Sequence, residues 1–170
     1  MKWIGAMLFL LATTQIGFDI AKRLSDRPQQ IRQLKNALQI LEAEIVYGQT
    51  PIHEVFYQLS KQIPAPLSRF FSELHDRLSV SQTTLYDIWN PTLKEFWKQS
   101  AMKKAERDIM DQFGKTLGQH DFTQQQKHIQ LALTHLEREL ANAEEEKYRY
   151  GRMAKSLGVL TGLFVILLLI

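Results

Sequence analysis

The feature that most constrains this chain is the uncharged run Ser156 to Ile170, SLGVLTGLFVILLLI. It is apolar on every face, so a helix made from it has no polar side to turn to water. Its fifteen residues rise only about 22 Å as a helix. Starting at Gly151 gives about 30 Å, the thickness of a bilayer's hydrocarbon core. Arg152 and Lys155 then reach the interface along their aliphatic stems, and Tyr148 and Tyr150 fall where interfacial aromatics belong.

The other end repeats the pattern. Trp3 to Phe18 reads WIGAMLFLLATTQIGF, and Asp19 is the first charge after Lys2. Trp3 to Ile20 spans about 27 Å. The rival is a cleaved signal peptide with its apolar region at Ile4 to Ala12. Ala12-Thr13-Thr14 is a poor cleavage site, and Lys22, Arg23 and Arg27 oppose export of the chain beyond them. Basic residues also set the orientation. Lys22, Arg23, Arg27, Arg32 and Lys35 come after the first segment, and Lys147, Arg149, Arg152 and Lys155 accompany the second. Positive flanks stay cytoplasmic. The expected architecture is all-α: a transmembrane helix over 1–21, a cytoplasmic helical bundle over 22–150 and a transmembrane helix over 151–170.

The middle carries helix signals and few strand signals. Ile31, Leu34, Leu38, Leu41 and Ile45 recur at steps of three and four, with Pro28 expected in the first turn of their helix and Gly48 as a stop. Thr50-Pro51 reads as an N-cap and first position, leading into Ile52, Val55, Phe56 and Leu59. Pro64 and Pro66 bound a helix with Leu67, Phe70, Phe71, Leu74 and Leu78. Thr83 or Thr84 caps a fourth, with Leu85, Ile88 and Trp89, and Pro91 is expected to kink or break it before Leu93, Phe96 and Trp97. A fifth runs from about Ala101 to Phe113 and stops at Gly114, and Gly118 ends a short connector. Asp121 reads as the N-cap of a last helix with Ile129, Leu133, Leu136, Leu140 and Ala143 on one face. No Gly or Pro interrupts it before Gly151, so one helix of about 73 Å is expected from Phe122 to Ile170.

Motifs for chemistry are weak. Gly114-Lys115-Thr116 imitates the end of a phosphate-binding loop, but Ile109 stands where that loop needs glycine, and no strand precedes it. His128 and His135 lie about 10 Å apart along a helix, too far to share an ion. The Glu-x-x-His pair of di-iron bundles is missing, as is the Gly-x-Ser-x-Gly elbow of hydrolases. Without cysteine there is no thiolate chemistry. No cofactor, metal or catalytic residue is expected. The net charge of +3 is interleaved rather than clustered, which argues against a nucleic-acid footprint. Two features are sharper. Gly158 and Gly162 form a GxxxG within the second span, a spacing that lets helices approach closely in lipid. Gln15, Asp19 and Arg23 share a face at the edge of the first.

Longer stretches carry a resemblance. RLSDRPQQIRQLKNALQILEAEIVYGQTPI at 23–52, PLSRFF at 66–71, FGKTLGQHDFTQQQKHIQLALTHLERE at 113–139 and KSLGVLTGLFVILLLI at 155–170 resemble the stage III sporulation protein AB family of endospore-forming bacteria. The likeness covers nearly the whole chain; residues 79–104 are its least distinctive part. That family is itself similar to the inner-membrane platform protein F of type II secretion and type IV pilus systems.

The resemblance implies a subunit of a secretion-like channel between mother cell and forespore, in the mother-cell membrane. It implies membrane channel subunits and a cytoplasmic secretion-type ATPase as partners, and no catalytic residues. Homo-oligomerisation stays open. The best candidate contact is the connector and start of the last helix, where Gln119, His120, Asp121, Gln125 and His128 are polar residues of an exposed type. A membrane-anchored sensor is the alternative layout, disfavoured because the charge bias puts the helical part inside and no output domain comes after the second span.

Overall fold

In the computed structural model the described residues are 2–80, 83–119 and 121–169, with side chains described at 12, 15–80, 83–119, 121–150, 153, 156, 160 and 164. They form six helices: α1 (Lys2–Val46), α2 (Ile52–Gln62), α3 (Leu67–Val80), α4 (Leu85–Gln99), α5 (Lys104–Thr116) and α6 (Phe122–Leu169). No strand occurs among the described residues. The chain divides into two compact units, one of Met1–Pro28 with Ala141–Ile170, the other Gln29–Leu140.

The second unit holds the main core. Ile31, Leu34, Leu38, Leu41 and Ile45 of α1 are all buried, as are Ile129, Leu133, Leu136 and Leu140 of α6. Each stripe is the face that its three- and four-residue spacing dictates. The two segments run antiparallel, because Lys35 pairs with Glu137 while Glu42 meets Gln130 and Gln126. The remaining helices pack α2 on α3, α3 on α4 and α4 on α5. Their common centre is Trp89, fully buried. Its ring lies 6.2 Å from Phe56 of α2, 5.3 Å from Phe70 of α3 and 5.8 Å from Phe113 of α5. A buried indole N–H needs an acceptor, and Trp89 Nε1 donates to the Met110 carbonyl at 3.0 Å.

That bond and that packing correct the expected stop at Gly114. The residue lies inside α5, where a Cβ would stand 2.2 Å from Trp89 Cδ1. The glycine is there for ring clearance. α5 also starts later than Ala101, at Lys104, because the buried Glu106 carboxylate accepts the Lys103 N–H at 2.9 Å and fixes the first turn.

Three proline readings change as well. Pro28 lies within α1 rather than opening a separate helix. It removes one intrahelical bond, and the division between the units falls at this residue. Pro91 neither breaks nor ends α4. Asp87, whose carbonyl loses its donor, is exposed, so water can serve it, and the Thr92 hydroxyl donates to the Ile88 carbonyl one turn back. Pro51, not Thr50, occupies the cap position of α2. Thr50 turns back to α1, its hydroxyl donating to the Glu44 carboxylate at 2.7 Å. Thr84 caps α4 as expected, accepting from the Asp87 N–H.

The first unit obeys another rule. Among its described side chains the buried ones are the small residues Gly17, Ala21 and Ala143, with Pro28 and Arg27, whose guanidinium donates to Glu146 at 2.8 Å. Several of its described large apolar residues point out: Ile16, Phe18, Ile20, Met153, Leu160 and Phe164 are each at least half exposed. Gln15, Asp19 and Arg23 are exposed too. Among the described residues no helix is long and apolar enough to cross a membrane. The flanking spans expected over 1–21 and 151–170 rest mainly on side chains outside the described residues, and the described part of the first mixes Gln15 and Asp19 with the apolar residues.

Candidate functional site

α5 ends in a tight connector to α6. The Leu117 N–H closes on the Phe113 carbonyl, and Gly118 takes φ +79°, a left-handed value that costs glycine nothing. Asp121 then caps α6: its Oδ1 accepts the Gln124 N–H at 2.8 Å, serving one of the free donors of a helix start. Of the five candidate contact residues here, Gln119 and Asp121 are exposed and His128 is half-buried. Gln125 is only 5% exposed, which corrects the expectation of a surface residue. It stands four residues before Ile129 on the buried stripe of α6. His120 lies outside the described residues. Phe122, beside the cap, is 52% exposed, so the connector presents an aromatic as well as polar groups. Gly158 and Gly162 lie within α6, and their surroundings are outside the described residues.

Two polar clusters escaped the sequence reading. Glu42 of α1 accepts from Gln126 at 3.0 Å and from Gln130 at 2.8 Å and 2.7 Å, a clamp just beyond the connector. The Gln126–Gln130 spacing of four was the available signal. The other joins α4 to α5 at Asp111. Its carboxylate accepts from Tyr86 Oη at 2.9 Å and Asn90 Nδ2 at 2.6 Å, and pairs with Lys115 Nζ at 2.9 Å. Burial alone would raise the Asp111 pKa, but the bonds from Lys115, Tyr86 and Asn90 outweigh it and hold the carboxyl below its ordinary value. Lys115 is raised in return, by its hydrogen bond to Asp111 and then by the carboxylate's charge. The spacings of four between Asp111 and Lys115 and between Tyr86 and Asn90 were available signals, and only the meeting of α4 with α5 depends on tertiary packing.

Beside Asp111 a groove of about 620 Å³ opens between α4 and α5, with Leu93 and Trp97 among its lining residues. None of these clusters joins a nucleophile to a base. Among the described residues no group of three His, Asp or Glu is placed to hold a metal ion.

Comparison with known proteins gives one consistent result. The family model described as stage III sporulation protein AB matches residues 2–170. The chain is 48% identical over 169 residues to the stage III sporulation protein AB of Bacillus subtilis (strain 168), covering 99% of each chain. A solved structure of stage III sporulation protein AB (SpoIIIAB) superposes with a TM-score of 0.69 at 48% identity, covering 73% of this chain and 98% of that chain.

Proposed function

The chain belongs to the stage III sporulation protein AB family, and from that membership we propose that it is a non-enzymatic platform subunit of a secretion-like channel between mother cell and forespore. In this reading residues 1–21 and 151–170 anchor it in the mother-cell membrane. Residues 22–150 face the cytoplasm and dock a secretion-type ATPase, coupling it to other channel subunits in the membrane.

One observation carries the anchoring. In the first unit small residues are buried while Ile16, Phe18, Ile20, Leu160 and Phe164 stand outward. Outward apolar residues over small buried ones suit lipid, where close backbone approach replaces hydrophobic burial as the packing force. The basic residues flanking both segments support a cytoplasmic middle. The connector before α6 is the proposed ATPase contact, now centred on Gln119, Asp121, Phe122 and His128.

The test has two arms. A phosphatase reporter active only outside the cytoplasm, fused at Gly118, stays silent, and a fluorescent reporter there glows; strong phosphatase activity would refute the orientation. In the second arm the full chain, solubilised in detergent, retains a secretion-type ATPase from the same sporulating cells. Gln119→Arg with His128→Ala weakens that retention and lowers spore yield, with helicity unchanged. Equal retention by the variant moves the contact elsewhere. No retention by the unaltered chain, alone or in the full complex, removes the coupling role.

A further inference from the structure

The α4–α5 groove carries charges that the fold leaves unbalanced. Leu93 is buried, and Trp97 is held by its indole N–H, which donates to the Lys103 carbonyl at 3.0 Å. Each acid along the groove has a base beside it: Asp108 lies 3.7 Å from Arg107, and Asp111 pairs with Lys115. Lys94 and Lys98, both exposed and both lining the groove, have no partner among the described residues. They stand four residues apart on one face of α4, where like charges repel. The groove thus pairs a fixed indole with two free ammonium groups spaced about 6 Å along the helix axis.

We infer that this groove receives an acidic helical segment of a partner protein. Carboxylates four residues apart on a helix have the same spacing of about 6 Å and meet Lys94 and Lys98 together. An apolar residue between them rests on Trp97, the arrangement of a helix in a groove read through i and i+4 anchors. Arg107 closes the α5 side as a further cation. Charge complementarity of this kind fixes register and excludes basic partners. The groove lies on α4 and α5, apart from the connector proposed to meet the ATPase, so failure of either contact leaves the other measurable.

A zero-length carbodiimide reagent tests the pairing, because it joins a lysine amine to a carboxylate it touches, with loss of water. Full-length chain in membranes of sporulating cells is treated and the linked peptides are sequenced. Lys94 and Lys98 are expected to link to Asp or Glu residues three or four apart in one helical segment of another protein. Lys94→Glu with Lys98→Glu then lowers recovery of that protein by about tenfold or more, and reversing the two partner carboxylates to lysine restores it. If the reversed chain misfolds by circular dichroism, Lys94→Gln with Lys98→Gln replaces it and is expected to weaken recovery in the same direction. Links confined to this chain's own acids, links to a second copy, or undiminished recovery with a folded variant would each overturn the inference. So would absence of any link while vesicles of anionic lipid lose binding to the variant, an outcome that assigns the two lysines to the bilayer surface.

Discussion

Gly114→Ala is the sharpest probe of the bundle, because general helix chemistry and this structure give opposite signs for it. By propensity alone, replacing a mid-helix glycine with alanine stabilises by about 1 kcal/mol. Here the new methyl would stand 2.2 Å from Trp89 Cδ1 and 2.3 Å from Nε1. Ordinary contact needs about 3.5–4.0 Å, so the ring has to move by more than about 1 Å. It is enclosed by Phe56, Phe70 and Phe113 and bonded to the Met110 carbonyl. Overpacking of this kind costs about 1–3 kcal/mol, and a buried N–H pulled from its acceptor costs about 1–3 kcal/mol more. The propensity gain offsets only part, leaving a net loss near 3 kcal/mol by this rough reckoning. For a unit of this size that lowers Tm by roughly 10 °C. Circular dichroism of the full chain in detergent reads the midpoint, and Trp fluorescence reads the displaced indole. In a Trp89→Phe background the same glycine change should cost much less, since the smaller ring leaves room and has no N–H. A Gly114→Ala protein as stable as the parent, or equal costs in the two backgrounds, would refute the packing argument.

Two further outcomes are expected. Because the Asp111 carboxyl is held below its ordinary value, the folded state favours the charged form; the stabilisation is fully present above the unfolded value near 3.8 and is lost as pH falls through the lower folded value. Comparing Tm against pH for the parent and Asp111→Asn should show a gap at neutral pH that narrows only below about pH 4, and a gap constant with pH would exclude titration of this carboxylate. Replacing Gly158 and Gly162 by Ile should leave membrane insertion intact and impair assembly with other subunits, as bulky residues block close helix approach; unchanged assembly and spore yield would leave the GxxxG facing lipid.

Periodicity was legible wherever a stripe of apolar residues met a single partner. The α1 stripe from Ile31 to Ile45 and the α6 stripe from Ile129 to Leu140 are buried as spaced, and Thr84 and Asp121 cap as short polar residues before apolar runs do. Punctuation was less reliable. Pro28 carries a start signal and Pro91 and Gly114 carry stop signals, yet all three lie inside helices. The local penalty of a proline is about 3 kcal/mol, and burial on both sides of Pro91, by Ile88, Trp89 and Leu93, is able to exceed it. Gly114 could not be interpreted from its neighbours, because its reason is a ring contributed by another helix. The exposure of the candidate contact residues was partly legible. Gln125 could have been set aside, since it continues the Ile129 register inward, whereas the Lys94–Lys98 groove needed α5 to be placed beside α4.

The two units also show why average hydropathy says so little about this chain. Its mean of −0.23 combines a part that buries Trp, Phe and Leu with a part that turns Ile16, Phe18 and Phe164 outward over buried Gly17, Ala21 and Ala143. In water the first arrangement is stabilised by removing apolar area from solvent, and the second would be destabilised by the same term. Under the proposed anchoring the second has lipid as the solvent for its outward apolar residues, and Arg27 lies at the end of its first segment. Its guanidinium is buried against Glu146, and Pro28, beside it, is the last residue of that unit before the water-type core begins at Gln29. Losing the Glu146 carboxylate takes an acceptor from a guanidinium that is only 5% exposed, whereas Glu146 itself is 31% exposed and keeps access to water. Glu146→Leu alone is accordingly expected to lower Tm, read by circular dichroism, more than Arg27→Met with Glu146→Leu, and equal losses would refute the argument.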